Sequence, residues 1–380
     1  MRVRYIATLS AWQCACLVLP GFSTPTSGQQ WTGERALVIG GAADDRDSHS
    51  FLHVRGLLIL EGGRIAVADA QANNVRVFDR LGALIASAGR AGEGPGDLKS
   101  PCCLAMDGEG SLWVFEDGNS RYSSFKASSG RLTFDTSVRV PSSVPNHSST
   151  SVVWSPAGHF LAFGTIRGGG PLERRYVRSE LGRNGAIVGA DTSEKFQQIE
   201  GRAKELRKAG RNGRPGASSL ASPPFASGAL VAVGPKGETA TASSGKYRVE
   251  WKDAGGRVKA VLSQAGNGPA VTKAEVDAIR SNFAKLSEEY RTTVSFPIPK
   301  FKPVLSGLAF DQDGRLWVMR SVVKGAPAES DLYDRDGRLL ARVRWPQGVA
   351  TGVFAASGRQ AAALSADANG VWAVVRIDFR

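Results

Sequence analysis

The chain has 380 residues, 42% hydrophobic and 22% charged, which excludes a disordered polar chain and suits a soluble globular protein. Its 45 glycines follow no collagen period and instead suit many short strands joined by tight turns. A formal charge of +13 admits anionic partners, but the Lys and Arg residues are scattered. No helix-turn-helix, zinc-finger spacing or aromatic RNA-binding signature accompanies them, which argues against a dedicated nucleic-acid role.

Residues 1–28 read as a secretory signal peptide. Arg2 and Arg4 precede an apolar stretch, Ile6 to Leu19, that Pro20-Gly21 breaks, and small and polar residues follow to Gly28. The stretch of about 14 residues is short of the roughly 20 that span a bilayer. Cys14 and Cys16 lack the Leu and small residues expected before a lipid-modified cysteine. The sequence therefore predicts a secreted or periplasmic protein with no transmembrane span.

A lone strand, Arg35 to Ile39, comes next. The first full unit holds strands at Val54–Leu60, Arg64–Asp69, Asn74–Asp79 and Leu84–Gly89, separated by Gly, Asn and Asp. The order returns at Pro101–Asp107, Ser111–Phe115, Arg121–Phe125 and Arg131–Phe134, and again at Ser306–Asp311, Arg315–Met319, Asp331–Asp334 and Leu339–Val343. Leu-Trp-Val recurs in the second strand of these two later units. Asp107-Gly108, Asp117-Gly118, Asp313-Gly314 and Asp336-Gly337 predict turns with positive φ at glycine. Cys102 and Cys103 are expected as unbridged small residues on opposite faces of a strand, with a vicinal disulfide as the rival.

Fainter copies run through Ser151–Gly189 and Leu230–Leu262, and a last one, Val353–Val375, lacks a fourth strand. Two insertions interrupt the series, about residues 192–225 and 267–300. The first is basic and then rich in Pro and Ser, and its first half predicts a short basic helix. The second predicts an amphipathic helix. Thr272 stands three residues before Glu275, a capping-box spacing, and Val276, Ile279, Phe283, Leu286 and Tyr290 share one face. That helix is either a lid over a channel or a packed decoration.

The missing last strand and the spare first one are complementary. The sequence predicts an all-β, six-bladed β-propeller over residues 31–380 with four-stranded blades, the last closed by the N-terminal strand, plus one inserted amphipathic helix. It is expected to be a monomer.

Gly63–Asp69 followed by Asn74–Asp79 resembles the NHL repeat. Gly92-Glu-Gly-Pro-Gly-Asp-Leu98 resembles the crossing between blades of bacterial six-bladed propellers, and the Val271–Arg291 region with Asp313–Val318 and Tyr333–Arg338 resembles an exported family of them. The resemblance spans about residues 35–380. It implies a binding platform, and among distant relatives gluconolactonases and lyases. Fold alone fixes no function.

Chemistry is sparse. His49, His53, His147 and His159 show no close metal-ligand spacing, so no metal site is firmly predicted. Asp69, Glu116 and Asp117 at strand ends are the candidate ligand or metal residues, with Ca²⁺ as the cation hard oxygens would hold. The opposing reading has such carboxylates bonding their own turns, as for Asp79, Asp311, Asp334 and Asp336. Gly92–Gly96 lacks the Gly-Lys-Ser/Thr ending of a phosphate loop, and no Gly-x-Ser-x-Gly elbow occurs. Trp113, Trp317 and Trp372 are expected to fill the wedges between blades. Arg202, Lys204, Arg207, Lys208, Arg211 and Arg214 form a candidate basic surface.

These readings favour a non-enzymatic binding or scaffold protein that holds a protein, peptide or carbohydrate at a central funnel and upper loops. A hydrolase or lyase using channel carboxylates and a divalent metal is the alternative. Adhesion to anionic surface polymers is the third.

Overall fold

The computed structural model describes residues 28–380 except 43, 45, 129, 145–151, 170–172, 194, 199–203, 208–217, 222, 287, 289–295 and 367–369. Residues 1–27 of the signal-peptide segment lie outside the described residues. Strand β1 (Gln29–Gly40) comes first. A four-stranded sheet follows, of β2 (Val54–Leu60), β3 (Arg64–Asp69), β4 (Asn74–Phe78) and β5 (Leu84–Ala88), paired in chain order. The next sheet repeats the plan with β6 (Pro101–Met106), β7 (Ser111–Glu116), β8 (Arg121–Ser128) and β9 (Arg131–Arg139). The third contains β10 (Phe160–Arg167), β11 (Glu173–Leu181) and β12 (Ile187–Thr192), with β13 (Phe196–Gln197) pairing β11.

Inside the first insertion, β14 (Lys204–Arg207) and β15 (Ser218–Ala221) form a separate hairpin. The expected basic helix is thus a strand where it is described. Lys204 and Arg207 lie on β14, and Arg202, Lys208, Arg211 and Arg214 lie outside the described residues. Extension lets the backbone of Lys204–Arg207 pair with that of Ser218–Ala221.

The fourth sheet holds β16 (Ala229–Val233), β17 (Thr239–Ser243), β18 (Arg248–Lys252) and β19 (Val258–Ser263). Helix α1 (Lys273–Ala284) follows. The remaining strands are β20 (Leu305–Phe310), β21 (Leu316–Arg320), β22 (Glu329–Tyr333), β23 (Leu339–Arg344), β24 (Val349–Ser357), β25 (Gln360–Ala366) and β26 (Trp372–Phe379).

These last strands and β1 make one eight-stranded sheet, ordered β20-β21-β22-β23-β1-β26-β25-β24. Strand β1 plays two parts. Gln29–Thr32 run parallel to Ala341–Arg344 of β23, and Gly33–Gly40 run antiparallel to Ala373–Phe379 of β26. The pairing of the N-terminal strand with the terminal one is as expected. Its parallel bridge to β23, which fuses two strand groups, was not legible in the sequence.

The result is an all-β, propeller-like fold with one α-helix among the described residues. Burial falls from the inner strands outward: β3 and β7 are buried almost throughout, whereas β5 and β12 are largely open to solvent. Inner strands therefore read as continuous apolar runs, since both faces are covered by neighbouring sheets. Apolar clusters fill the seams. Leu58, Val77, Leu104 and Val114 join the first two sheets, and Leu57, Ile59, Leu364 and Val374 join the first sheet to the strands at the far end of the chain.

Between strands, one turn recurs. Asp107 N–H donates to Ser111 O and Gly110 N–H to Asp107 O, and Asp311, Gly314 and Arg315 repeat this geometry. The positive φ falls on Gly110 (82°) and Gly314 (72°), so in the second sheet it lies two residues beyond the expected Gly108. Gly118 likewise lacks it, while Gly337 has it (80°). Glycine is needed where the left-handed conformation falls, not wherever it follows Asp.

Trp113 and Trp317 are buried, and each donates its indole N–H to the first Asp of that turn, at 2.8 Å to Asp107 and 2.9 Å to Asp311. Trp372 is 41% exposed and does not pack in a wedge. Trp345 takes that place, against Trp317, Phe354 and Phe379. The cysteines also depart from expectation. A bulge between Cys102 and Leu104 gives Cys103 a φ of 58°, both side chains are buried, and a disulfide joins them. An extra residue in one strand breaks the alternation that would have put them on opposite faces.

Helix α1 has the expected capping box between Thr272 and Glu275, but it ends at Ala284 with none of its residues fully buried. Val276, Ile279 and Phe283 are half-buried, Leu286 is 40% exposed, and Tyr290 lies outside the described residues. Lys302 sits 2.5 Å from Glu275. With the Thr272 hydrogen bonds it lowers the Glu275 pKa from 4.5 to about 2. A depressed carboxylate pKa stabilises the fold above the ordinary value, and that contribution is lost as pH falls from about 4.5 through about 2. Lys302→Met is expected to move the Glu275 titration upward, as read by carboxyl-resolved NMR.

Candidate functional site

The uncovered edges of β2, β6, β16, β20 and β24, together with the Val152–Trp154 segment that pairs with the start of β10, surround a cavity of about 570 Å³. Its wall takes Leu57 and Leu58 from β2, Leu104 and Met106 from β6, Val152 and Trp154 from the segment before β10, Val233 from β16, Leu308 and Phe310 from β20, and Phe354 from β24. The polar side chains are Arg55, Ser306 and Thr351 near the start of their strands and Asp311 and Gln312 at the other end, and the wall as a whole is nearly as polar as it is apolar.

Bulges set this rim. Register shifts fall between Val54 and Gly56, Cys102 and Leu104, Leu305 and Gly307, and Ala350 and Phe354. Each inserts residues where the strand enters the cavity and re-aims their side chains. Gly56 permits the tightest approach there, since a Cβ would lie 2.9 Å from Cys103 N. Gly352 is the opposite case, with nothing within 4 Å of a built Cβ.

At the far end Gln312 crosses to β2. Its side chain accepts from Ile59 N–H at 3.0 Å and donates to Ile59 O at 2.8 Å, while its own N–H donates to Ala356 O. One turn thereby ties three inner strands and narrows the floor. Gln312→Ala is expected to leave Ile59 without both partners and to lower stability by about 1 kcal/mol, tempered by local solvent access, in urea unfolding.

The carboxylates expected at the mouth are placed as follows. Asp69 is fully buried and accepts from the backbone N–H of Leu52 (2.9 Å), His53 (3.0 Å) and Ala72 (3.1 Å), and from Arg76 (3.2 Å). Arg76 in turn donates to Ser48 O and Ser50 O, and burial lowers its pKa against the opposing charge of Asp69. Glu116 is also fully buried. It accepts from Arg121 (2.7 Å), Ser123 (2.5 Å) and Asn119 (2.6 Å).

Arg121 goes on to bind the carbonyls of Glu93 (2.9 Å), Gly94 (3.1 Å) and Asp97 (2.8 Å). It thus clamps the glycine-rich crossing that carries the family resemblance. Asp117 is half exposed and pairs with Arg55 at 3.1 Å on the rim. Asp79 and Asp334 bond their own turns, as does Asp311, while exposed Asp336 faces Arg338 at 3.9 Å.

The eight-stranded sheet inverts the same plan. Arg320 holds the register position of Asp69 and Glu116, and buried Asp331 holds that of Arg76. Asp331 accepts from Arg320 (2.8 Å), Tyr247 (2.5 Å) and Gln264 (3.2 Å). Burial, followed by the charges of Tyr333 and Asp331, pushes the Tyr247 pKa upward. This reversed pair was invisible to a search for recurring carboxylates.

Among the described residues no three His, Cys, Asp or Glu side chains group closely enough to hold a metal ion. Asp69 and Glu116 are engaged by N–H, hydroxyl and guanidinium donors, the wrong surroundings for a cation. His49 bonds Asp44 at 2.6 Å, His159 bonds Glu180 at 2.9 Å, His53 is exposed, and His147 lies outside the described residues. No helix among the described residues is long and apolar enough to cross a membrane.

The sequence matches no family profile and no curated protein. Solved structures do resemble it. A protein from Bacteroides fragilis described as exported is 11% identical and superposes with a TM-score of 0.51, covering 93% of this chain and 98% of its own. The PQQ-bound aldose sugar dehydrogenase of Streptomyces coelicolor is 13% identical with a TM-score of 0.44, covering 94% and 100%. Virginiamycin B lyase from Staphylococcus aureus is 10% identical with a TM-score of 0.37, covering 91% and 88%. The first likeness concerns fold alone, and the other two carry no argument about this chain.

Proposed function

We propose that this chain is an exported six-bladed β-propeller that works by binding, holding a ligand with an apolar segment in its axial cavity. The blade count rests on taking β20–β23 as one blade and β24–β26 with Gly33–Gly40 of β1 as another, beside the four separate sheets. Export rests on the pattern of residues 1–28.

The observation that carries the binding reading is the wall itself. A cavity of about 570 Å³ whose apolar side chains are accompanied by nearly as much polar surface has the size and mixed chemistry of a small-ligand site. The nearby buried carboxylates are consumed in ion pairs and backbone hydrogen bonds, which favours binding over acid–base catalysis. Arg55 on the rim is already paired with Asp117 at 3.1 Å, so a ligand with an apolar ring system fits best.

Anilinonaphthalene sulfonate has that character and fluoresces when its rings leave water. It is expected to bind the folded protein at one site, and Gly352→Trp to weaken binding at least tenfold by placing an indole in open cavity space. Absence of binding, or a Gly352→Trp protein that binds equally well, would overturn the proposal.

A further inference from the structure

Four strands that meet the axial cavity carry residues that their ladder register skips. These are Arg55 in β2, Cys103 in β6, Ser306 in β20, and Thr351, Gly352 and Val353 in β24. A residue set outside the register is aimed off the alternation of its sheet. Arg55, Ser306, Thr351, Gly352 and Val353 all line the cavity. Cys103 does not, although Leu104, the next residue, does. Cys103 is instead 2% exposed, buried with Trp113, Phe115 and Tyr122 and bonded to Cys102.

The backbone shows what holds it there. Among the described residues five non-glycine residues have positive φ, and Cys103, at 58°, is the one inside a strand. A residue with a side chain rarely adopts that conformation unless its surroundings impose it. The bond to Cys102 is such a constraint, because it closes a ring through the peptide joining the two residues and keeps Cys103 Sγ in the core. The rim packs directly on this peptide. A Cβ at Gly56 would lie 2.9 Å from Cys103 N and 3.3 Å from Cys102 C. Arg55, beside it, reaches Ser100 at 3.3 Å and Asp117 at 3.1 Å, where β6 starts and β7 ends.

We infer that the Cys102–Cys103 disulfide is a redox latch on the axial cavity: closed, it holds Cys103 in the core, and opened, it lets Cys103 take the rim position that Arg55, Ser306 and Thr351 take on their strands. The reductant is a dithiol. It supplies a pair of electrons and two protons, the S–S bond breaks to give two thiols, and the dithiol leaves as its own disulfide. A thiol on the rim changes the polar groups that a ligand meets there and is open to alkylation or oxidation. The latch depends on where the cavity lies and not on what the cavity binds.

Iodoacetamide alkylation of the full folded chain tests it, with peptide sequencing to read Cys14 and Cys16 separately. Cys102→Ala leaves Cys103 as a thiol, and Cys103→Gly leaves Cys102 as one while glycine keeps the left-handed backbone. The thiol of Cys102→Ala is expected to react roughly tenfold faster or more than that of Cys103→Gly, since exposure and thiolate character set the rate. Should Cys102→Ala fail to fold, the wild-type chain in dithiothreitol carries the test, and label is expected on Cys103 in preference to Cys102. Bound anilinonaphthalene sulfonate should slow the Cys103 reaction by covering the cavity. If the dye does not bind at all, the axial binding reading falls while the contrast between the two thiols still stands. Equal rates in the two variants, label favouring Cys102, or a folded wild-type chain from which dithiothreitol releases neither thiol would rule the latch out.

Discussion

Arg121→Ala is expected to destabilise the protein by about 3–5 kcal/mol, the cost typical of breaking a buried ion pair from one side. Glu116 would stay fully buried with its charge, keeping only Ser123 and Asn119 as donors. The carbonyls of Glu93, Gly94 and Asp97 would lose a shared donor at the same moment. Stability and loop order should therefore fall together, with faster hydrogen exchange through Gly92–Leu98. Removing both charges, as Glu116→Leu with Arg121→Met, should recover part of the loss, because an unpaired buried charge costs more than an apolar pair. Denaturant unfolding of the two singles and the double gives the coupling. A loss below about 1 kcal/mol for Arg121→Ala would mean the clamp is ornamental.

Trp31→Ala should cost a similar amount, about 3–5 kcal/mol. Trp31 is 4% exposed in the half of β1 that runs parallel to β23. It stacks near Phe379, whose strand pairs with the other half of β1, and Arg359 lies 4.5 Å over its ring. The indole thus fastens both groups of strands that β1 joins. Truncating it opens a void at the closure, where neighbours fixed by two ladders cannot collapse inward. Thermal unfolding measures the loss. If the protein tolerated the change within about 0.5 kcal/mol, as surface sites do, Gln29–Thr32 would be a passive extension.

Much of the strand order was legible because each strand is a short run of β-branched and aliphatic residues stopped by Gly, Asp or Asn. Val75 and Val77 or Leu112 and Val114 announce themselves this way. The strand-end positions of Asp69 and Glu116 were legible too, since acids interrupt apolar runs there. Their partners were not. Arg76 reads as the polar member of an alternating strand, and Arg121 as an ordinary strand start. Both are buried only because a neighbouring loop folds over them.

The polar cluster at Asp331 escaped notice for a further reason, that its charges are exchanged relative to the other sheets. The cysteine pair misled because a bulge is a matter of register between two strands, which one strand's sequence does not encode. Cavity walls are the hardest to read. Leu58, Leu104 and Leu308 look like any core leucines until the packing of the sheets leaves the edges of their strands facing a common space.

The most direct test of the account is hydrogen exchange with and without anilinonaphthalene sulfonate. The account predicts slower exchange along β2, β6, β20 and β24, the strands whose uncovered edges meet the axial cavity, and no change along β5, β9 and β19 at the opposite edges of their sheets. Protection confined to the peripheral strands, or to α1, would contradict it.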